Sequence, residues 1–187
     1  MTSERMGDRI VVLGMTCAGK STLGAALAAA RGVPFVESDA LFWAPAWTPV
    51  PTPEYVQRMD AATSGDAWVV AGCCSAAHDL VLGRATTVIY LDYPFYLHFI
   101  RLVKRTLTRW WTQELLWGTN REGLWEHLKL WSSESLFHHL IRKYHQRRTV
   151  YWPNAFAAHA HLQVLRLPSL AATESYLDAC ASTTSPH

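Results

Sequence analysis

Gly14-Met15-Thr16-Cys17-Ala18-Gly19-Lys20-Ser21 decides how the chain is read. It follows the β-branched run Arg9-Ile10-Val11-Val12-Leu13 and opens an Ala/Leu-rich stretch over residues 21–31 that stops at Gly32. A buried strand, a glycine loop and a helix with a glycine stop account for that order. The octapeptide fits G-x-x-x-x-G-K-[ST], a phosphate-binding loop. Its glycines let the backbone curl so that successive N–H groups point inward, and the helix behind presents its positive end. In this pattern Lys20 reaches the β and γ phosphates of a nucleotide and the Ser21 hydroxyl ligates Mg²⁺. Nucleotide contacts are expected from Gly14, Met15, Thr16, Cys17, Ala18, Gly19, Lys20, Ser21 and the adjoining Thr22. ATP is the expected cofactor, with GTP left open.

Further strands are expected at residues 33–37, 67–71, 87–91 and 162–167, and helices at 53–63, 94–111, 114–129 (interrupted around Gly118), 132–151 and 171–180. Residues 44–53 hold four prolines and read as loop. Short apolar strands alternating with helices mean an α/β fold, a parallel sheet covered on both faces, in one domain over 1–187. Ligands of such sheets sit at the carboxyl ends of the strands. There the chain places Glu37 and Asp39, Gly72 and Asp92. Asp92 stands before Tyr93-Pro94, which reads as a helix N-cap in preference to a metal-binding acid.

Nearly the whole chain resembles the adenylate kinase and shikimate kinase branch of phosphate-loop proteins, closest to bacterial topology modulation and adenylate-kinase-related proteins. The resemblance rests on the loop, on Asp39-Ala40-Leu41-Phe42-Trp43 with Trp47-Thr48-Pro49, on Trp68-Val69-Val70-Ala71-Gly72, on residues 87–92, and on Leu116-Trp117-Gly118-Thr119-Asn120-Arg121-Glu122. It implies the three-layer P-loop NTPase fold, a five-stranded sheet in the order 2-3-1-4-5, and a helical lid over 105–131. It implies that Glu37 lies near the metal and that Asp39 holds or deprotonates the acceptor. Arg101 would stack on the adenine and Arg105 contact phosphate. Trp43, Gly72 and Arg121 are acceptor-side candidates, with Arg147 and Arg148 behind them. Ala71 departs from the pattern, since adenylate kinases carry an Asp there.

Residues 101–148 hold ten Lys/Arg against four acids, whereas the whole chain carries only +2. Positive charge concentrated there suits the equatorial oxygens of a transferring phosphoryl group. Five tryptophans share the segment (Trp110, Trp111, Trp117, Trp125 and Trp131). At helical spacing they read as core, although arginines among aromatics also suit single-stranded nucleic acid. The four cysteines form no C-x-x-C pair and read as reduced thiols of a cytoplasmic protein. No His set has metal-ligand spacing, and neither a signal peptide nor a membrane-spanning helix is expected. The expected activity is ATP-dependent, Mg²⁺-assisted phosphotransfer to a small-molecule acceptor. The alternative is a regulatory or nucleic-acid-associated P-loop NTPase without that activity.

Overall fold

The computed structural model describes residues 7–112, 115–116, 120–121 and 136–183. Five parallel strands make the central sheet: β1 (Arg9–Gly14), β2 (Phe35–Glu37), β3 (Trp68–Ala71), β4 (Thr87–Leu91) and β5 (Gln163–Leu167). Their order is β2-β3-β1-β4-β5, as the resemblance implies. In register, Val11 lies between Val70 and Val88. The central strand is therefore paired on both sides and ends at the phosphate loop.

Alternation along the strands divides the core in two. Val11, Leu13, Val70, Val88 and Tyr90 face one side, where Tyr55, Met59, Val81, Leu82 and Trp152 cover them. These come from helices α3 (Thr52–Ala62), α4 (His78–Arg84) and α7 (Trp152–Ala158). Ile10, Val12, Val69, Ile89 and Leu91 face the other side, against Leu23 and Leu27 of α1 (Lys20–Arg31) and Tyr176 and Leu177 of α8 (Leu170–Thr183). Each fully buried aliphatic side chain contributes about 2 kcal/mol. Gly32 closes α1 in the left-handed conformation, its N–H bonded to the last-turn carbonyls.

A third, smaller cluster positions the site. Met15 of the phosphate loop is buried with Leu102 and Leu140. Leu102 belongs to α5 (Phe95–Thr112) and Leu140 to α6 (Leu136–Gln146). These two helices thus pack against the loop through Met15.

Several expectations need correction. A short helix, α2 (Ser38–Phe42), carries Asp39 in its first turn, and residues 44–53 are not all loop. Trp43–Ala44 and Thr48–Pro49 pair antiparallel around Pro45–Trp47, where Ala46 and Trp47 are both left-handed. Within the helix expected over 114–129 with its interruption around Gly118, Leu115–Leu116 and Asn120–Arg121 instead form an antiparallel ladder. The lid expected over 105–131 falls mostly outside the described residues, and residues 105–112 continue α5. The expected single helix over 132–151 is α6 followed by a π-turn, Arg147–Tyr151, that runs on into α7. Among the described residues, no helix is long and apolar enough to cross a membrane.

Candidate active site

The phosphate loop curls because its conformation demands it. Gly14 and Gly19 have φ of 154° and 94°, and Cys17 between them is left-handed at 59°. A Cβ on Gly14 would stand 2.9 Å from the Leu91 carbonyl oxygen, so no other residue fits where the loop crosses β4. Two residues of α5 hold the outside of the loop. His98, buried, donates from Nδ1 to the Thr16 carbonyl at 3.1 Å and stacks on Tyr93. That carbonyl can only accept, which fixes the neutral tautomer. Burial pushes the His98 pKa down. Arg101 donates to the Ala18 carbonyl at 3.0 Å and lies over the Tyr93 ring. The Thr16 and Ala18 carbonyls thus face protein donors on α5.

Lys20 leaves the first turn of α1 and donates to the Met15 carbonyl at 3.0 Å. Burial lowers its pKa. Arg105 and Arg147 push the same way, while Asp39 and Cys17 oppose them. Asp39 in the first turn of α2 and Arg105 on α5 thus bear electrostatically on one ammonium group. Gly72, at φ 72°, runs beside it, since a Cβ there would be 3.4 Å from the Lys20 Cε. Next to Lys20 in sequence, the Ser21 hydroxyl donates to Glu37 Oε1 at 2.7 Å. Glu37 is also the register partner of Ala71. A carboxylate thus lies on β2 beside the position where β3 carries Ala71.

The Asp39 turn is braced by Tyr55. Its hydroxyl bonds the buried Ser38 Oγ at 2.8 Å and accepts from the Cys74 N–H at 3.0 Å, fastening the Asp39 turn to the segment after β3. Burial raises the Tyr55 pKa and pushes the Cys73 thiol up to about 12, so both stay protonated near neutrality. None of the four cysteines is in a disulfide. His78 donates from Nε2 to the Cys73 carbonyl at 2.8 Å and accepts the Tyr151 hydroxyl at Nδ1. Trp43 and Trp47 meet edge to face, 5.6 Å between centroids, on the hairpin beyond α2.

Sequence reasoning placed Lys20, Ser21, Glu37, Asp39, Gly72 and Arg105 in one region; the structure puts the first five at the carboxyl ends of β1, β2 and β3, and Arg105 on α5. Arg101 holds the loop carbonyls, a contact its expected adenine role did not include. Arg121 lies on a strand whose backbone runs beside Pro45–Trp47. Asp92 does not cap α5: its buried carboxylate pairs with Arg148 at 2.7 Å and with Arg166. A buried charge needs such compensation more than a solvent-facing helix end needs a cap. Trp110 and Trp111 are not core, being 44% and 81% exposed, and Trp117, Trp125 and Trp131 lie outside the described residues. His98, His78 and Tyr55 were not anticipated, because single aromatic positions in apolar stretches carry no motif.

The residues fit a Mg²⁺-nucleotide. The glycine positions leave backbone room that a Cβ would fill, Lys20 stands at the loop, and Ser21 with Glu37 offers hard oxygen donors. Among the described residues, no three His, Cys, Asp or Glu side chains cluster as a metal-only site. Mg²⁺ would therefore be shared with phosphate oxygens.

No protein-family model and no curated protein matches the chain. Solved structures do. Shikimate kinase from Acinetobacter baumannii in complex with shikimate aligns with a TM-score of 0.55 at 18% identity, over 96% of each chain. A gluconokinase from Sinorhizobium meliloti 1021 aligns at 0.52 and 17%, over 96% of this chain and 97% of its own. Shikimate kinase from Bacteroides thetaiotaomicron gives 0.52 and 16%, over 94% and 97%. At such identities the likeness shows the P-loop kinase fold over essentially the full length.

Proposed function

We propose that the protein is an ATP-dependent phosphotransferase that moves the γ-phosphoryl group to a hydroxyl of a small molecule. The observation that carries this is the Ser21–Glu37 hydrogen bond, 2.7 Å long, set two residues from an Asp39 whose charge is felt at Lys20. Ser21 of α1 with the short segment Glu37–Asp39 thus offers a metal ligand, a metal-side carboxylate and a candidate base. A protein that only bound nucleotide would need the loop but not Asp39.

In this reading the loop N–H groups and Lys20 hold the phosphates, and Ser21 with Glu37 holds Mg²⁺, which neutralises charge on the phosphate oxygens when bound. Asp39 accepts the acceptor's proton. Arg105 and Arg147 stabilise negative charge on the transferring group. Gly72 lets the acceptor pass close to the backbone, and Trp43 lines its apolar side. Arg101, through Ala18, keeps the loop in its curled form. We further assign the chain to the topology modulation and adenylate-kinase-related branch, acting in the cytoplasm, with residues 105–131 contributing the lid.

ADP release from ATP·Mg²⁺ against nucleoside monophosphates, nucleosides, sugar acids and small alcohols tests this. Acceptor-stimulated release, lowered roughly 100-fold or more in Lys20→Ala and in Asp39→Asn, is the expected result. Stimulated turnover that survives Asp39→Asn would remove the base assignment.

The exposed Trp110 and Trp111 near Lys104 and Arg109 favour a second reading, in which this surface stacks single-stranded nucleic acid. It requires affinity that falls steeply with salt. Absence of binding to an oligonucleotide at low salt would end it.

A further inference from the structure

His98, in the first turn of α5, is buried and held by parts of the molecule other than the phosphate loop. Its ring stacks on Tyr93, 5.9 Å between centroids and 27° between planes, and Tyr144 of α6 tilts against it at 6.0 Å. Both tyrosines are themselves anchored. The Tyr93 hydroxyl bonds Thr173 Oγ1 of α8 at 2.7 Å, and the Tyr144 hydroxyl donates to the Tyr93 carbonyl at 3.0 Å. The end of β4, α6 and α8 thus set where the imidazole stands, and from there its Nδ1–H meets the Thr16 carbonyl at 3.1 Å.

A trans peptide is planar, with its C=O and its N–H on opposite edges. The loop peptides are trans, so holding the Thr16 carbonyl toward α5 turns the Cys17 N–H away from α5. Arg101, one turn along the same helix face, acts alike two peptides on: it holds the Ala18 carbonyl at 3.0 Å and turns the Gly19 N–H away. The peptide between them is engaged inside the loop, where the Ala18 N–H donates to the Met15 carbonyl at 3.2 Å. Cys17, at the centre, has φ 59°, a left-handed value that disfavours any residue but glycine. Such a conformation persists where its surroundings impose it, and the two ties from α5 bracket it.

Resting on the nucleotide-binding part of the phosphotransferase reading, we propose that His98 is a positioning residue that aims the Cys17 N–H at the phosphates of the nucleotide. Its donor does this, and not its bulk. Filling the buried space requires only an apolar side chain, whereas aiming the peptide requires an N–H where Nδ1 stands.

The test sets His98→Leu against His98→Asn in the full chain. Leu fills the space without a donor. Asn fills it less well but carries an N–H at the place of Nδ1. The readouts are thermal melting and the dissociation constants of ATP·Mg²⁺, of inorganic pyrophosphate with Mg²⁺, and of adenosine. His98→Leu is expected to bind ATP and pyrophosphate about tenfold more weakly and adenosine as the wild type does. His98→Asn is expected to recover most of that affinity while melting below His98→Leu, so the two readouts rank the variants in opposite orders. Affinities that follow the melting order, equal losses in the two variants, or wild-type pyrophosphate affinity in His98→Leu overturn the proposal. If His98→Leu does not fold, His98→Phe replaces it, keeping a ring between Tyr93 and Tyr144 without a donor. The same tenfold loss is expected there, and wild-type pyrophosphate affinity overturns the proposal. None of these readouts needs an acceptor. ATP that binds but is turned over with no acceptor would refute phosphotransfer and leave the His98 comparison intact, whereas a wild-type chain that binds neither ATP nor pyrophosphate would refute both.

Discussion

Gly72 shows how much a single position constrains the site. Its φ of 72° is left-handed, and its Cα faces the Lys20 side chain. Gly72→Ala should cost about 1–2 kcal/mol in stability from backbone strain, read by urea unfolding. The added methyl would meet the Lys20 Cε at 3.4 Å, an ordinary contact, so ATP binding should change less than stability. A variant as stable as the wild type would contradict the left-handed assignment. Glu37 is the complementary case. With Ala71 as its register partner, it is the carboxylate nearest the Ser21 hydroxyl. Glu37→Gln should raise the Mg²⁺ concentration needed for half-maximal turnover while leaving metal-free nucleotide binding intact. An unchanged Mg²⁺ requirement would remove Glu37 from the metal site.

At the scale of elements, α5 does more than cover the sheet. Leu102 buries Met15, His98 holds Thr16 and Arg101 holds Ala18, so three side chains of one helix face fix three loop residues. Arg101→Ala removes a charge-assisted bond and should weaken ATP binding about tenfold with kcat less affected. His98 and His78 are both depressed below the ordinary 6.5 by burial, so the unfolded chain takes up protons that the folded chain resists. Stability should therefore be full above about pH 6.5 and fall as pH drops toward the folded values. Melting from pH 7.5 to 5 checks this, and His98→Leu should shallow the slope. Of α5 the sequence revealed the length and the Arg101/Arg105 spacing. It did not reveal the inward histidine, because a lone His in an amphipathic stretch looks the same whether it packs or ligates. The π-turn was equally hidden: Arg147–Tyr151 has ordinary helical composition, and the wide turn follows from tertiary ties to Asp92 and His78.

For the molecule as a whole, legibility followed the range of the interactions. The β-branched runs, the glycine loop and the glycine stop are local signals, and the five strands appear within one or two residues of where those signals put them. What the sequence concealed depends on distant partners. Arg166 lies 74 residues from the Asp92 it neutralises, and Trp110 and Trp111 remain exposed because no described element covers that end of α5. The molecule that results sets Lys20, after β1, against the acids Glu37 and Asp39 after β2. That polarity suits a triphosphate donor on one side and a hydroxyl acceptor on the other. The measurement that tests this most directly follows the label of γ-³²P ATP incubated with the protein, Mg²⁺ and the acceptor panel. Label recovered covalently on one class of small molecule, and lost in Lys20→Ala and Asp39→Asn, is the predicted result. Nucleotide that binds tightly while its label stays in ATP or passes only to inorganic phosphate, whatever the acceptor, would contradict it.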